Sequence, residues 1–190
     1  METVIKKLLT DTGALQKGHF ILSSGKHSPY YIQCARLFEN PSIGDTVGAM
    51  VAELIRKYNP ETIVGIAMGS VHLAYAVAKY LGIRNIFTER DKKSGDMSLR
   101  RGFRISPGEN IVIVEDVITT GGSVKEVINL LRDMGGNVAS IASIVYRGKD
   151  VNFGVPFHYL IKLDFPIYDP KDCPLCKEGI PASKPGSKMQ

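Results

Sequence analysis

The sequence predicts a single α/β domain: a doubly wound parallel sheet flanked by helices. Three observations carry this. The runs at 62–67, 111–114 and 138–146 are mostly apolar and rich in Val and Ile, as strands buried on both faces must be. Segments with helical spacing separate them, and strand-helix-strand alternation closes into a parallel sheet through right-handed crossovers. Small or acidic residues stand where the runs end, at Met68-Gly69-Ser70 and Glu115-Asp116, and such sheets bind ligands beyond the carboxyl ends of their strands.

The elements follow in order. Residues 3–15 space Val4, Ile5, Leu8 and Leu9 like a short amphipathic helix that Gly13 ends. Residues 18–32 alternate apolar side chains around Ser24-Gly25 and read as a hairpin or irregular flap. Its Tyr30 and Tyr31 suit the covering of a flat heterocycle, and equally suit plain aromatic packing. Asn40-Pro41-Ser42 starts a helix whose apolar face is Val47, Met50, Val51, Leu54 and Ile55, and Asn59-Pro60 stops it. The first core strand, 62–67, turns through Met68-Gly69-Ser70 into a helix ending at Leu81-Gly82, and a strand at 83–88 follows. Residues 89–103 are too polar for a buried element and too long for a routine connection, which predicts a mobile loop at a functional site. A strand at 111–116, a helix from 123 to 134 closed by Gly135-Gly136, and strands at 138–146 and 155–161 complete the pattern before a Pro-rich tail. One domain spans 1–190.

Composition narrows the function. At 190 residues, 44% hydrophobic and 23% charged, the chain suits an ordinary globular domain. The first ten residues lack the apolar core of a secretory leader, and the longest apolar region is broken by glycines and His72, so no membrane span is expected. Cys34, Cys173 and Cys176 are too few and too odd for a disulfide scaffold, which indicates a reducing compartment, the cytoplasm. The net charge of +5 is concentrated: residues 84–104 hold seven Lys/Arg against three Asp/Glu. With no aromatic-rich stacking pattern beside it, this basic segment suits a small polyanion better than nucleic acid. In the tail, Cys173-Pro174-Leu175-Cys176 has zinc-ligand spacing, but a structural site needs four ligands and only His158 or Cys34 offer themselves.

The chemistry is densest at 111–123. After Ile111-Val112-Ile113-Val114 come Glu115 and Asp116, then Val117, Ile118, Thr119, Thr120, Gly121, Gly122 and Ser123. Paired carboxylates can accept hydrogen bonds from a sugar diol or help hold a divalent cation. Small residues let backbone N–H groups turn inward, and a following helix adds its N-terminal partial positive charge, so 119–123 suits a phosphate. Together they make a ribose 5-phosphate cradle. No Gly-Lys-Ser/Thr follows the loop and no G-x-G-x-x-G is present, which disfavours the two commonest nucleotide motifs.

This stretch resembles the phosphoribosyl-diphosphate signature of type I phosphoribosyltransferases, and the resemblance narrows to the orotate-using branch of that family. Ser24-Gly25-Lys26-His27-Ser28-Pro29-Tyr30-Tyr31, Glu89-Arg90 with its lysines, Tyr146-Arg147 and the Cys-Pro-Leu-Cys tail carry the narrowing. The resemblance implies a type I core at about 40–150 with a small hood formed by the N-terminal flap and C-terminal region, at about 1–36 and 151–190, and transfer of a 5-phosphoribosyl group from phosphoribosyl diphosphate to orotate. It implies Mg²⁺ held mainly through the substrate, with Glu115 and Asp116 as candidate protein ligands. It also implies a homodimer in which the basic loop 89–103 acts in trans. Residues 115–123, Arg90, Met68 and Gly69 would bind phosphoribosyl diphosphate. Thr119, Arg147, Lys26, Tyr30 and Tyr31 would bind orotate, and Arg90, Lys92, Lys93 and Asp116 would act in catalysis. No nucleic acid and no membrane are implied. The pattern departs from the family in three places. Ser23 stands where familiar members carry a flap lysine, and Gly69 where some carry a lysine. No histidine lies between His72 and His158, so a loop histidine is excluded and the leaving group falls to lysines, arginines and the metal. Two other readings share the cradle: a transferase for another base, which has no need of Arg147, and a phosphoribosyl-diphosphate-sensing regulator that binds nucleic acid.

Overall fold

A computed structural model describes residues 1–185. Its centre is a six-stranded sheet in the order β5-β4-β3-β6-β7-β8, formed by β3 (Thr62–Ile66), β4 (Arg84–Arg90), β5 (Met97–Leu99), β6 (Asn110–Ile118), β7 (Asn137–Tyr146) and β8 (Phe157–Lys162). All neighbours are parallel except β4 and β5. The chain runs outward from β3 to β4 on one side and then returns to place β6 on the other. The order therefore reverses between β3 and β6, and the ends of these two strands flank the crevice where ligands bind in open α/β sheets.

Both faces are covered, as the apolar runs predict. Along β3, Ile63 points to one side and Val64 to the other. The Ile63 side packs on α1 (Glu2–Asp11), α2 (Pro41–Ile55) and α3 (Val71–Leu81) through Leu9, Val51 and Val77, all fully buried. The opposite side packs on α4 (Gly122–Asp133) through Val124, Val127 and Leu131. Asn40 caps α2, its side-chain carbonyl accepting from the Ser42 amide at 3.0 Å with Pro41 at the first helical position.

Outside this sheet, β1 (Leu15–Ile21) and β2 (His27–Ile32) pair antiparallel as the expected hairpin. The tail returns to this hairpin: Tyr168 bridges to His27 and Ser183 to Phe20. A short helix, α5 (Pro174–Lys177), lies within the tail.

One expectation is corrected. Residues 89–103 are not an open loop. β4 continues through Arg90, turns, and returns as β5, with Thr88 opposite Leu99 and Arg90 opposite Met97. Asp91 makes the turn by accepting the Lys93 and Ser94 amides at 2.7 and 3.1 Å. Polarity misleads here because a short edge strand is only half-buried: Met97 and Leu99 pack on the α4-side cluster, while the residues around them stay charged, the usual defence of an edge against unwanted pairing.

At the other end of the sheet, the buried carboxylate of Glu109 accepts hydrogen bonds from the Thr62 hydroxyl, from Arg84 at 2.8 Å and from the Ser106 amide at 2.8 Å. Burial opposes its ionisation, but those donors outweigh burial and hold the carboxyl below its usual range. A depressed folded pKa stabilises above the unfolded value of about 4.3 and the benefit disappears as pH falls through the folded value. Replacing Glu109 by Gln should cost about 2 kcal/mol at neutral pH, lowering Tm by about 5 °C. Thermal melts of the two proteins should converge at acid pH; an unchanged Tm at pH 7 would show the cluster to be idle.

Candidate active site

β6 delivers Glu115 and Asp116 to the crevice, and the β3–α3 turn meets them there. Glu115 Oε1 accepts the Ser70 hydroxyl at 2.6 Å, and the Asp116 amide donates to the same Ser70 oxygen at 3.1 Å. Asp116 Oδ1 also accepts its neighbour's amide, Val117 N, at 2.9 Å. The backbone turns at Ala67–Met68 through a cis peptide, leaving Met68 largely exposed. Gly69 then passes so close to Asp116 that a Cβ would lie 2.6 Å from Oδ2. That contact explains why no larger residue occupies the position: a lysine there would displace the Asp116 carboxylate.

Two adjacent carboxylates in a half-buried crevice resist double ionisation. The Glu115 carboxyl is pushed well above its usual range, first by burial and then by the Asp116 charge. The same field reaches the hairpin. Tyr31 has its phenol pushed up by burial and by Asp116, and buried Cys34 has its thiol pushed up by burial, Asp116 and Glu115.

Beyond the acidic pair, Glu115, residues 117–124 and Glu126 enclose a cavity of about 280 Å³. Gly121 opens α4 in the left-handed conformation, at φ 75°. Thr119, Thr120 and Gly122 are exposed to the cavity side of the loop while Gly121 is buried. The first amides of α4 are free to receive an anion. Arg90, at the end of β4, reaches the rim and pairs with Glu126 at 3.0 Å. Lys92 and Lys93 project from the exposed β4–β5 turn.

Arg147 follows β7 directly. Its amide donates to the Ile118 carbonyl at 2.8 Å, which ties it to the cradle strand. The next residue must be glycine, because a Cβ at Gly148 would run into the Thr119 carbonyl oxygen. The Arg147 guanidinium lies 4.9 Å from the Phe165 ring, and Phe165 stacks on Tyr30 at 4.7 Å. Arg147 Nε is buried with no hydrogen-bond partner among the described residues. Lys26 sits at the hairpin end, 3.6 Å from Asp169.

The structure thus brings together the residues expected from sequence around one crevice: the acidic pair, the 117–123 loop, Met68-Gly69, Tyr31 and Arg90. Arg147 and Tyr30 meet on its hairpin side, and Lys26 lies beyond them. Ser70 lies in the turn marked from sequence, but its bonds to Glu115 and Asp116 were not foreseen, nor were Phe165 and Gln33, which accepts the Tyr31 hydroxyl at 3.2 Å. Nothing in the spacing of Phe165 links it to Arg147. His158 and Cys34, the expected partners of the tail cysteines, are elsewhere: His158 bonds the Tyr58 hydroxyl at 2.8 Å, and Cys34 sits near the acidic pair.

The crevice joins an acidic pair, the start of a helix and a basic rim, and its class is given by the phosphoribosyl transferase domain family, which matches residues 33–153. The relatives are more specific. The orotate phosphoribosyltransferase of Thermotoga maritima is 61% identical over 186 residues, covering 97% of this chain and 98% of that protein. That of Caldanaerobacter subterraneus is 50% identical over 176 residues, covering 92% of this chain and 91% of that protein. Among solved structures, the orotate phosphoribosyltransferase of Aeropyrum pernix superposes with a TM-score of 0.74 at 26% identity, covering 84% of this chain and 93% of that one. The chain belongs to the orotate phosphoribosyltransferase family.

The raised Glu115 pKa has a stability consequence. An acid whose folded pKa exceeds its unfolded value of about 4.3 contributes stability below that value and loses it as pH rises through the folded pKa. Glu115→Gln, which keeps the Ser70 contact without the charge, should therefore melt a few degrees higher than the parent at pH 8 without ligand. The difference should vanish near pH 4. Calorimetry over that range checks it; a lower Tm for the variant at pH 8 would contradict the assignment.

Proposed function

We propose that this protein transfers the 5-phosphoribosyl group of phosphoribosyl diphosphate to N1 of orotate, releasing diphosphate and orotidine 5′-monophosphate for pyrimidine nucleotide synthesis in the cytoplasm. The observation that carries the choice of base is Arg147. A buried guanidinium nitrogen without a partner is costly and rare, and here it sits beside a stacked aromatic pair at the end of the cradle. Orotate is flat and carries a carboxylate, so it satisfies both: a bidentate pair with Arg147 and stacking near Tyr30 and Phe165. Thr119, held against Gly148, supplies a hydroxyl at the junction of base and sugar, and Tyr31 and Lys26 line the hairpin side.

On the sugar side, the amides and hydroxyls of 119–123 hold the 5-phosphate, and Glu115 and Asp116 hold the ribose diol. Ser70 already occupies one Glu115 oxygen and the Val117 amide one Asp116 oxygen. The remaining hard oxygens suit Mg²⁺ but are too few to complete an octahedron, so the ion would be carried in by the substrate with at most a carboxylate or two from the protein. When bound, Mg²⁺ neutralises charge on the diphosphate. The Met68-Gly69 backbone lies along the path of the departing diphosphate. As the bond to C1 lengthens, positive charge grows on the sugar near Asp116 and negative charge on the leaving group near Arg90, Lys92 and Lys93. Closure of the β4–β5 hairpin over the crevice would exclude water from the activated sugar.

The protein is further proposed to act as a homodimer, with the hairpin tip reaching the neighbouring crevice. Support comes from the resemblance and from exposed large apolar groups along the β3–α3 segment: Met68, Tyr75 and Tyr80 are 80, 60 and 49% exposed.

Magnesium-dependent loss of orotate absorbance tests the assignment. Arg147→Ala should lower kcat/KM for orotate about 100-fold, with Arg147→Lys recovering only part because a lysine cannot pair bidentately. Arg90→Ala should lower kcat on the order of 100-fold. Full activity in Arg147→Ala would overturn the base assignment. Mixing tests the dimer. Lys92→Ala/Lys93→Ala and Arg147→Ala chains, each nearly inactive alone, should regain activity when mixed and re-paired, since one site of the hybrid has an intact pocket and an intact hairpin. No recovery in demonstrably mixed dimers would place the hairpin's action in cis.

A further inference from the structure

We propose that His19, His27, Cys173 and Cys176 form a tetrahedral zinc site that clips the C-terminal tail to the β1–β2 hairpin. The four residues come from three places, β1, β2 and the tail, and their ligand atoms all lie within 4.8 Å of one another. Cys173 Sγ is 3.5 Å and Cys176 Sγ 3.7 Å from His19 Nε2, and Cys176 Sγ is 3.3 Å from His27 Nδ1. With Zn–S of about 2.3 Å and Zn–N of about 2.05 Å, a regular tetrahedron has S···N edges of about 3.6 Å. The two imidazole nitrogens stand closer, at 2.8 Å, and part by about half an ångström to admit the ion.

The surroundings favour a metal over a chance cluster. His19 Nδ1 lies 2.7 Å from the Ile180 carbonyl. A carbonyl only accepts, so Nδ1 carries the proton and Nε2 presents its lone pair to the sulfurs. This is the outer-sphere arrangement that fixes a metal-binding histidine. His19, His27 and Cys173 are buried, and the Cys-Pro-Leu-Cys turn is tightened by the Lys177 amide donating to the Cys173 carbonyl at 3.2 Å and the Gly179 amide to that of Cys176 at 3.0 Å. All three cysteines are free thiols, and two sulfurs with two imidazoles are the donor set of closed structural zinc sites. The site is chemically unlike the hard-oxygen crevice where Mg²⁺ would bind.

A physical need is visible too. After β8 the tail has little core of its own: Leu163 and Phe165 pack partly on the main cluster, while Ile167 and Ile180 are 51 and 41% exposed. Beyond these, two backbone bridges, an exposed ion pair, the Phe165–Tyr30 stack and the His19–Ile180 hydrogen bond hold it to the hairpin. A metal cross-link supplies folding energy where apolar burial is short. The clip also matters to the base pocket, because the segment it holds contains Phe165, the ring between Arg147 and Tyr30.

The test uses the full-length, untagged protein purified without chelators and then exposed to a zinc salt. Elemental analysis and native mass spectrometry should find about one zinc per chain. Cobalt substitution should give the intense visible bands of a tetrahedral thiolate site, and bound metal should shield Cys173 and Cys176 from alkylation. Cys176→Ser, whose position is exposed and least risky for folding, should lose most of the zinc affinity, as should His19→Ala. Stripping the wild type should lower Tm and admit protease to residues 163–183 while the core helices and sheet persist. A wild type that takes up no stoichiometric zinc, an octahedral cobalt spectrum, a Cys173–Cys176 disulfide in reduced preparations, or full zinc retention in both variants would each overturn the proposal. These readouts need no turnover, so they stand apart from the assignment of the reaction.

Discussion

Two carboxylates held side by side at the end of β6 are the constraint around which the crevice is built. Burial and mutual repulsion make the pair unfavourable on its own, as the raised Glu115 carboxyl shows. The neighbourhood is arranged to keep it. Ser70 binds both residues, Gly69 yields the space that the Asp116 carboxylate occupies, and Tyr31 and Cys34 sit in its field. Strained charge of this kind is a mark of a functional site, because a ligand with hydroxyls and a cation relieves it. The switch of strand order between β3 and β6 brings the two halves of this arrangement together.

From that pair the rest of the site follows by short tethers. The loop 119–123 continues the same strand into α4. Arg147 is bonded through its amide to Ile118, and Gly148 is pressed against Thr119, so Arg147 is tied directly to the strand end and loop at 118–119. Arg90 reaches the rim from the neighbouring strand pair through Glu126. The hairpin is less firmly joined, and its position relative to Arg147 depends on Phe165 and on the tail. The proposed zinc clip on that tail would hold in place the segment whose Phe165 packs between Arg147 and Tyr30.

Much of this was legible in the sequence because it follows from strong local rules. The Val/Ile runs and helical spacings place all the parallel strands within a residue or two, and the acidic pair with Thr-Thr-Gly-Gly-Ser marks the cradle without any tertiary information. What escaped depends on contacts between distant residues. The β4–β5 hairpin was read as loop because edge strands need not be apolar. Phe165 and Ser70 earn their places only through partners 18 and 45 residues away. His19 and His27 stand on adjacent strands of one hairpin, so their eight-residue separation hides that they face the same two cysteines more than 140 residues later.

The central claim is that the cradle at the end of β6, completed by Arg147, selects orotate as the base. Incubating the purified protein with phosphoribosyl diphosphate, Mg²⁺ and an equimolar mixture of orotate, uracil, adenine and xanthine tests it most directly, with the nucleotides formed identified by mass spectrometry. Orotidine 5′-monophosphate should be the dominant product and should disappear when Mg²⁺ is chelated. Formation of another nucleotide with none from orotate would contradict the account.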